Sequence, residues 1–193
     1  RDAEGNRRAF SIASAPDERR LLIATRMRDT AFKRVLATMP IGTHVEIEEP
    51  FGDLVLHNDQ SRAAVFLAGG IGITPFTSIL LQAKREQLQH SLFCFYANRR
   101  PEDAPFLKDL EALQEPHVRT IVPTMTQITP LDLSWNGEIG RIDHSMLARH
   151  LKFAMSPIYY LAGPPRMVTG LHEMLKNLGV GDNDIRTEEF SGY

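Results

Sequence analysis

The rhythm of apolar and polar positions changes once along this chain. From Arg62 onward short apolar runs alternate with helical patterns. Residues 64–68, 92–96, 118–122, 158–162 and 185–190 read as strands, and 75–86, 105–114, 143–150 and 165–178 as helices. A looser stretch with Pro123, Pro130 and Gly137 interrupts them. Such alternation predicts a parallel sheet covered by helices on both faces, with ligands at the carboxyl ends of the strands. Before Arg62 the pattern is shorter and β-like. Residues 8–14 and 21–28 alternate, 31–37 has helical spacing, and 44–48 alternates again before the turn Pro50-Phe51-Gly52. The expected division is a β-rich part over 1–61 and an α/β domain over 62–193.

One window tests that reading. Residues 63–81 carry no charge and approach the length of a membrane span. Gly69-Gly70-Ile71-Gly72 and Thr74-Pro75 break it, so a strand, a tight turn and a helix in series are expected, with no membrane span. The 193 residues carry a formal charge of −2 and a pI near 6.4, without the basic surplus that binding a nucleic-acid backbone calls for. Cys94 is the sole cysteine and lies in an apolar run. Within these residues it excludes an intrachain disulfide, a cysteine-based zinc site and an iron–sulfur cluster, and it suits a reducing, cytoplasmic compartment. No metal site is expected.

The chemistry-bearing motifs sit at strand ends. Ala68-Gly69-Gly70-Ile71-Gly72-Ile73-Thr74-Pro75 joins a strand to a helix, with Thr74 placed as N-cap and Pro75 as the first helical residue. Its glycines let a backbone approach a pyrophosphate at the helix start; they serve a packed turn equally well. Ala162-Gly163-Pro164-Pro165-Arg166-Met167 repeats the arrangement at a second strand end. Arg8-Ala9-Phe10-Ser11 alternates, sending Arg8 and Phe10 to one face; a guanidinium suits a diphosphate and a ring suits a flat heterocycle.

These motifs, with Pro50-Phe51-Gly52 and Tyr96-Ala97-Asn98-Arg99 between them, follow the order found in the ferredoxin–NADP reductase superfamily, which the chain resembles from Arg8 to Tyr193. The resemblance implies a partial antiparallel β-barrel flavin domain followed by a parallel, doubly wound nucleotide-binding domain, with FAD and NAD(P)H as cofactors. On the flavin side it implies Arg8 at the diphosphate, Phe10 over the isoalloxazine where relatives carry Tyr, and Ser11 near N5. Thr25 and Met27, and the helix start Ala31-Phe32-Lys33, match the second set of flavin contacts. On the nicotinamide side it implies Gly69, Gly70, Gly72 and Thr74 in one loop and Gly163, Pro164 and Met167 in the other. Many relatives carry Cys where this chain has Ala162. Asn98 and Arg99 match the place of the adenosine ribose, where an Arg suits NADP and also occurs in users of NAD. The last strand implies Phe190 or Tyr193 at the flavin, in the nicotinamide's place.

The resemblance therefore implies a flavoprotein oxidoreductase. It takes hydride from NAD(P)H to FAD and passes electrons to an acceptor, such as a ferredoxin-like protein or an oxygenase component. Ser11, Thr74 and Phe190 would stand at the reacting rings. A flavin-free dinucleotide-binding module or sensor is the alternative, because relatives carry further barrel strands ahead of the Arg-x-Tyr-Ser motif. A simple dehydrogenase is a third reading, and it lacks a His or Tyr proton donor in the glycine loop.

Overall fold

The structure, a computed structural model, describes residues 7–115, 119–128 and 134–190. Val118, Pro130 and Tyr193, which figure in the sequence reading, lie outside them.

Six strands form one parallel sheet in the order β4-β3-β2-β1-β5-β6. They are β1 (Ala64–Gly69), β2 (Leu92–Asn98), β3 (Arg119–Met125), β4 (Glu138–Ile139), β5 (Ile158–Gly163) and β6 (Ile185–Glu189). The chain steps outward from β1 to β4 and then returns to place β5 on the other side of β1. That reversal makes the carboxyl ends of β1 and β5 the topological switch point, where open α/β sheets bind ligands. Strand alternation sorts the core into two layers. Ala64, Phe66 and Ala68 face α2 (Ile73–Arg85) and α3 (Leu107–Glu111), together with Cys94, Tyr96 and Tyr160. Val65, Leu67, Phe95 and Leu161 face α4 (His144–His150) and α5 (Pro165–Asn177). The doubly wound architecture expected from the sequence is present. Cys94 is fully buried, and burial pushes its thiol up to about 12, as befits a core residue.

The uncharged window resolves into β1, a 3₁₀ turn over Gly70–Gly72 and α2, and no helix among the described residues is long and apolar enough to cross a membrane. One local expectation is corrected here. The helix starts at Ile73, and Thr74 lies inside it, its hydroxyl donating to the Ile71 carbonyl at 2.7 Å. The 3₁₀ turn extends the helix N-terminus and makes a Thr74 cap unnecessary.

The first segment is less regular than its alternation suggests. Among the described residues, 8–14 and 21–28 meet through the antiparallel bridge Ile12↔Ile23, a bond from the Ala13 N–H to the Leu22 carbonyl and one from the Leu22 N–H to the Ser14 hydroxyl, without forming a ladder. Residues 44–48 form no ladder, and Val45 and Ile47 are 62% and 71% exposed. Alternation becomes a strand only where a neighbouring strand accepts its hydrogen bonds. The expected helix forms as α1 (Ala31–Thr38), with Thr30 as its N-cap. Two links dock this segment on α2. Ser78 donates to the Ser14 carbonyl at 2.7 Å, and Arg85 pairs with Asp17 and Glu18.

A strap over residues 53–58 joins the two parts. Leu54 and Leu56 pack on the core, and His57 is buried beside Tyr160 of β5. The His57 N–H donates to the Tyr160 hydroxyl at 2.9 Å, and that hydroxyl also meets Nδ1 at 2.9 Å. Because Nε2 lies 3.2 Å from the Arg62 carbonyl, which only accepts, the satisfied arrangement is a neutral ring protonated at Nε2. His90 packs edge-on at 5.0 Å, its Nε2 2.9 Å from the His57 carbonyl.

Burial lowers the His57 pKa below its ordinary value. The bond to the Arg62 carbonyl opposes this, while the positive fields of His90, Arg186 and Arg62 reinforce it. A depressed folded-state pKa means that unfolding takes up a proton. The stabilisation is complete above about 6.5 and is lost as pH falls through the folded value. The thermal midpoint is expected to fall between pH 7 and pH 5.5, with a shallower fall in His57→Gln; parallel slopes in the two proteins would contradict the assignment.

Candidate functional site: a cleft between the first segment and the switch point

A cleft of about 260 Å³ opens at the switch point, lined by residues from three parts of the chain. The first segment supplies Arg8, Phe10, Ser11, Thr25, Phe32 and Lys33; the turn after β1 and the start of α2 supply Ile71 and Thr74; the end of β6 supplies Phe190. Residues more than 170 positions apart thus share one wall. The Ser11 hydroxyl donates to Glu188 Oε1 of β6 at 3.0 Å. Phe10 and Phe32 pack with ring centroids 5.8 Å apart, and the Arg8 guanidinium lies 5.6 Å from the Phe32 ring centre. Lys33 donates to the Arg26 carbonyl, and Arg26 and Arg28 complete a basic rim. The volume lies just below the roughly 300–1,000 Å³ of drug-sized pockets, and the cleft is open, so it has room for one flat ring system with the rest of a ligand running out over the basic rim.

The two glycine loops touch each other. A Cβ on Gly163, whose φ is +155°, would come 3.1 Å from the Gly69 nitrogen. A Cβ on Gly72 would come 2.6 Å from the Gly163 nitrogen and closer still to the Ala162 carbonyl. Gly69 backs onto Met167 and Pro164. These glycines bring the ends of β1 and β5 into backbone contact, while Gly70 supplies the left-handed step, with φ +53°.

At the carboxyl end of β2, Asn98 is 6% exposed, and neither its Oδ1 nor its Nδ2 has a partner among the described residues. Its carbonyl is taken by the N–H and hydroxyl of Thr126. An amide left unpaired at a strand end, on the binding edge of the sheet, calls for a hydrogen-bonding partner from outside the chain, a ligand or an ordered water. Arg99 beside it is exposed.

Among the residues singled out from sequence, the cleft thus gathers Arg8, Phe10, Ser11, Thr25, Phe32, Lys33, Thr74 and Phe190. Met27, 52% exposed, and Ala31 stand outside its lining. Gly69, Gly70, Gly72, Gly163, Pro164 and Met167 form the paired loops beside it, and Asn98 and Arg99 lie beyond β1 at the end of β2. The sequence reading missed Glu188. Strand alternation carried the signal, since Glu188 shares a face with Phe190.

Both halves fit the groups that the resemblance implies: aromatic rings and cations around a flat cleft for a flavin, and an unpaired buried amide beside closely packed glycines for a dinucleotide. The fold and these strand-end loops define a nucleotide-binding oxidoreductase domain. Residues 66–173 match the family model described as the oxidoreductase NAD-binding domain, and the chain belongs to that family. It is 29% identical over 201 residues to one component of the Na⁺-translocating NADH-quinone reductase of Haemophilus influenzae, an alignment spanning 96% of this chain and 48% of that protein. The chain therefore spans about half the length of the relatives it matches in sequence. The flavohemoglobin of Malassezia yamatoensis, solved with FAD and heme, superposes with a TM-score of 0.83 at 20% identity, covering 99% of this chain and 49% of that one. A ferredoxin NADP⁺ reductase from Neisseria gonorrhoeae with bound FAD and NADP gives 0.77 at 22% identity, covering 94% and 79%.

Proposed function

We propose that the chain forms the nicotinamide-binding half and part of the flavin-binding half of a reductase that moves hydride from NAD(P)H to FAD. One observation carries this reading: Arg8, Phe10 and Ser11 of the first segment meet Thr74 and Phe190 of the α/β sheet in a single cleft at the switch point. Residues 1–61 are then the flavin-side domain and 62–193 the nucleotide-side domain.

Bound FAD supplies the redox chemistry, accepting hydride and releasing electrons. The protein's residues hold and align. Arg8, with Arg26, Arg28 and Lys33 around it, neutralises a diphosphate. Phe10 offers a ring face, and Phe32 backs it. Ser11 presents a hydroxyl oriented by Glu188. The Thr74 proton is committed to Ile71, which leaves its oxygen to accept from a carboxamide. Phe190 lines the cleft wall and would hold the nicotinamide's place at the flavin. Asn98 and Arg99 receive the adenosine end. No general acid or base is required, because hydride transfer needs two rings in register and a site poor in water. Electrons would pass to an acceptor, either a protein of the ferredoxin or oxygenase-component kind or a small molecule, and the lone buried thiol fits work in the cytoplasm.

The deciding experiment is the visible spectrum with and without added FAD, followed by NADH or NADPH without oxygen. Flavin bands that bleach on adding either reductant support the reading. A protein that takes up no flavin in excess FAD is a dinucleotide-binding module instead. Arg8→Ala is expected to weaken FAD binding about tenfold or more, the range for losing a charge-assisted hydrogen bond; unchanged FAD affinity in a titration would remove Arg8 from the site.

A further inference from the structure

Edge strand β6 is held by its ladder on one side only, against β5. Alternation puts Arg186 and Glu188 on one face, and Phe190 continues that face through its N–H bond to the Gly163 carbonyl at 3.0 Å. Phe190 packs against the core, so the face looks inward. Two of these three side chains reach the cleft region: Glu188 accepts from Ser11, and Phe190 lines the wall. Arg186 does neither. It lies one full pleat behind Glu188, opposite Tyr160 in the ladder, as Glu188 lies opposite Ala162. Its guanidinium sits 5.2 Å from the Tyr160 ring centre and donates to the Val55 carbonyl of the strap at 2.6 Å.

A guanidinium does both jobs at once, because it is planar, stacks on a ring face and still has in-plane donors. Among the described residues Arg186 makes no ion pair, so its charge is not serving a carboxylate. Its contacts join three elements: β6, the β5 tyrosine and the strap. The same Tyr160 hydroxyl holds His57, two residues along the strap from Val55. The strap leads back to the segment bearing Ser11, and β6 leads forward to Glu188. Arg186 therefore closes a loop of contacts around the Ser11–Glu188 hydrogen bond.

We propose that Arg186 is a positioning residue: its clasp on Val55 and Tyr160 sets how β6 lies against the strap, and so holds Glu188 on Ser11 and Phe190 at the cleft wall. The functional half of this inference rests on reading the cleft as a flavin site; the mechanical half does not.

The test is hydrogen exchange in the protein without added cofactor, followed by anaerobic reduction with FAD bound. In Arg186→Met, amide protection is expected to fall about tenfold or more at residues 187–190 and 54–57, with β1 and β2 unchanged. NADH should then bleach the flavin about tenfold more slowly, with an unchanged NADH dissociation constant. Because both substitutions act on the Ser11 contact, Arg186→Met combined with Glu188→Ala should slow bleaching by less than the product of the two single effects. Wild-type protection at both segments, a wild-type bleaching rate, or slowing by the full product in the double variant would each overturn the proposal. If Arg186→Met does not fold, Arg186→Lys serves. A loss of about threefold confined to the same two segments supports the clasp, and a loss spread over β1 and β2 overturns it by making Arg186 a general stabiliser. If the wild type takes no flavin, the reductase reading fails and the exchange data still decide whether the clasp exists.

Discussion

Gly72→Ala is expected to lower the thermal midpoint by about 6–12 °C and to weaken NADH binding at least tenfold. The reason is space and not backbone conformation, since Gly72 has φ −60° and ψ −10°, values any residue adopts. Its Cβ would drive into the Ala162 carbonyl and come 2.6 Å from the Gly163 nitrogen, and these are main-chain atoms of a central strand and its loop. Neither can rotate away. Overpacking of this kind costs about 3 kcal/mol, and in a chain of this size each kcal/mol moves the midpoint about 2–4 °C. Gly69→Ala is the control. Its Cβ meets the Met167 sulfur, the flexible part of a side chain, and 3.1 Å away the Pro164 ring. Methionine can swing aside, so the shift should be less than half as large. Thermal melts and NADH titrations of the two variants side by side check this, and equal shifts would show that the loop contact is not the controlling one.

Tyr160→Phe is expected to cost about 2–3 kcal/mol, or roughly 4–12 °C in the midpoint, though it removes a single oxygen. That oxygen accepts from the His57 N–H and bonds Nδ1, both at 2.9 Å. Without it, two buried polar atoms on the strap lose their partner, and an unsatisfied buried group costs about 1–3 kcal/mol. The ring remains, so the packing against Phe66 at 5.1 Å and beneath Arg186 should persist. A melt of Tyr160→Phe within 2 °C of wild type would mean that water enters to replace the hydroxyl.

The legible parts of this molecule were those whose cause is local. The runs that became β1, β2 and β5 are apolar along their whole length because both faces are covered, and glycines at two of their ends mark the turn to a helix. Glycine spacing could not say whether the loops grip a ligand or each other, and the structure shows that they grip each other. The two-residue β4 is too short for any periodicity. The helix at Leu107–Glu111 came out shorter than expected, because Phe106 adopts φ +61°, which stops the helix from starting at Pro105. Alternation at 44–48 was genuine, but alternation describes a face and not a partner, and none pairs with it among the described residues. Nothing local announced the His57–Tyr160–Arg186 cluster, whose members lie as much as 131 positions from what they bind. In the cleft, the aromatic and basic residue types were readable from one short string, whereas the Ser11–Glu188 pair spans 177 positions and needed the fold.

The backbone contact between Gly69 and Gly163 bears on how a cofactor is received. Loops that open and close around a ligand must lose conformational freedom as they settle, and binding is weakened by that amount. Here the two turns already lean on each other through main-chain atoms, each fixed to a central strand. If these turns receive the cofactor as proposed, the cradle is assembled before it arrives. On that reading a dinucleotide would have only its own flexibility to give up, so affinity at this edge should depend on the ligand's shape and charge, with little contribution from any rearrangement of the sheet that receives it.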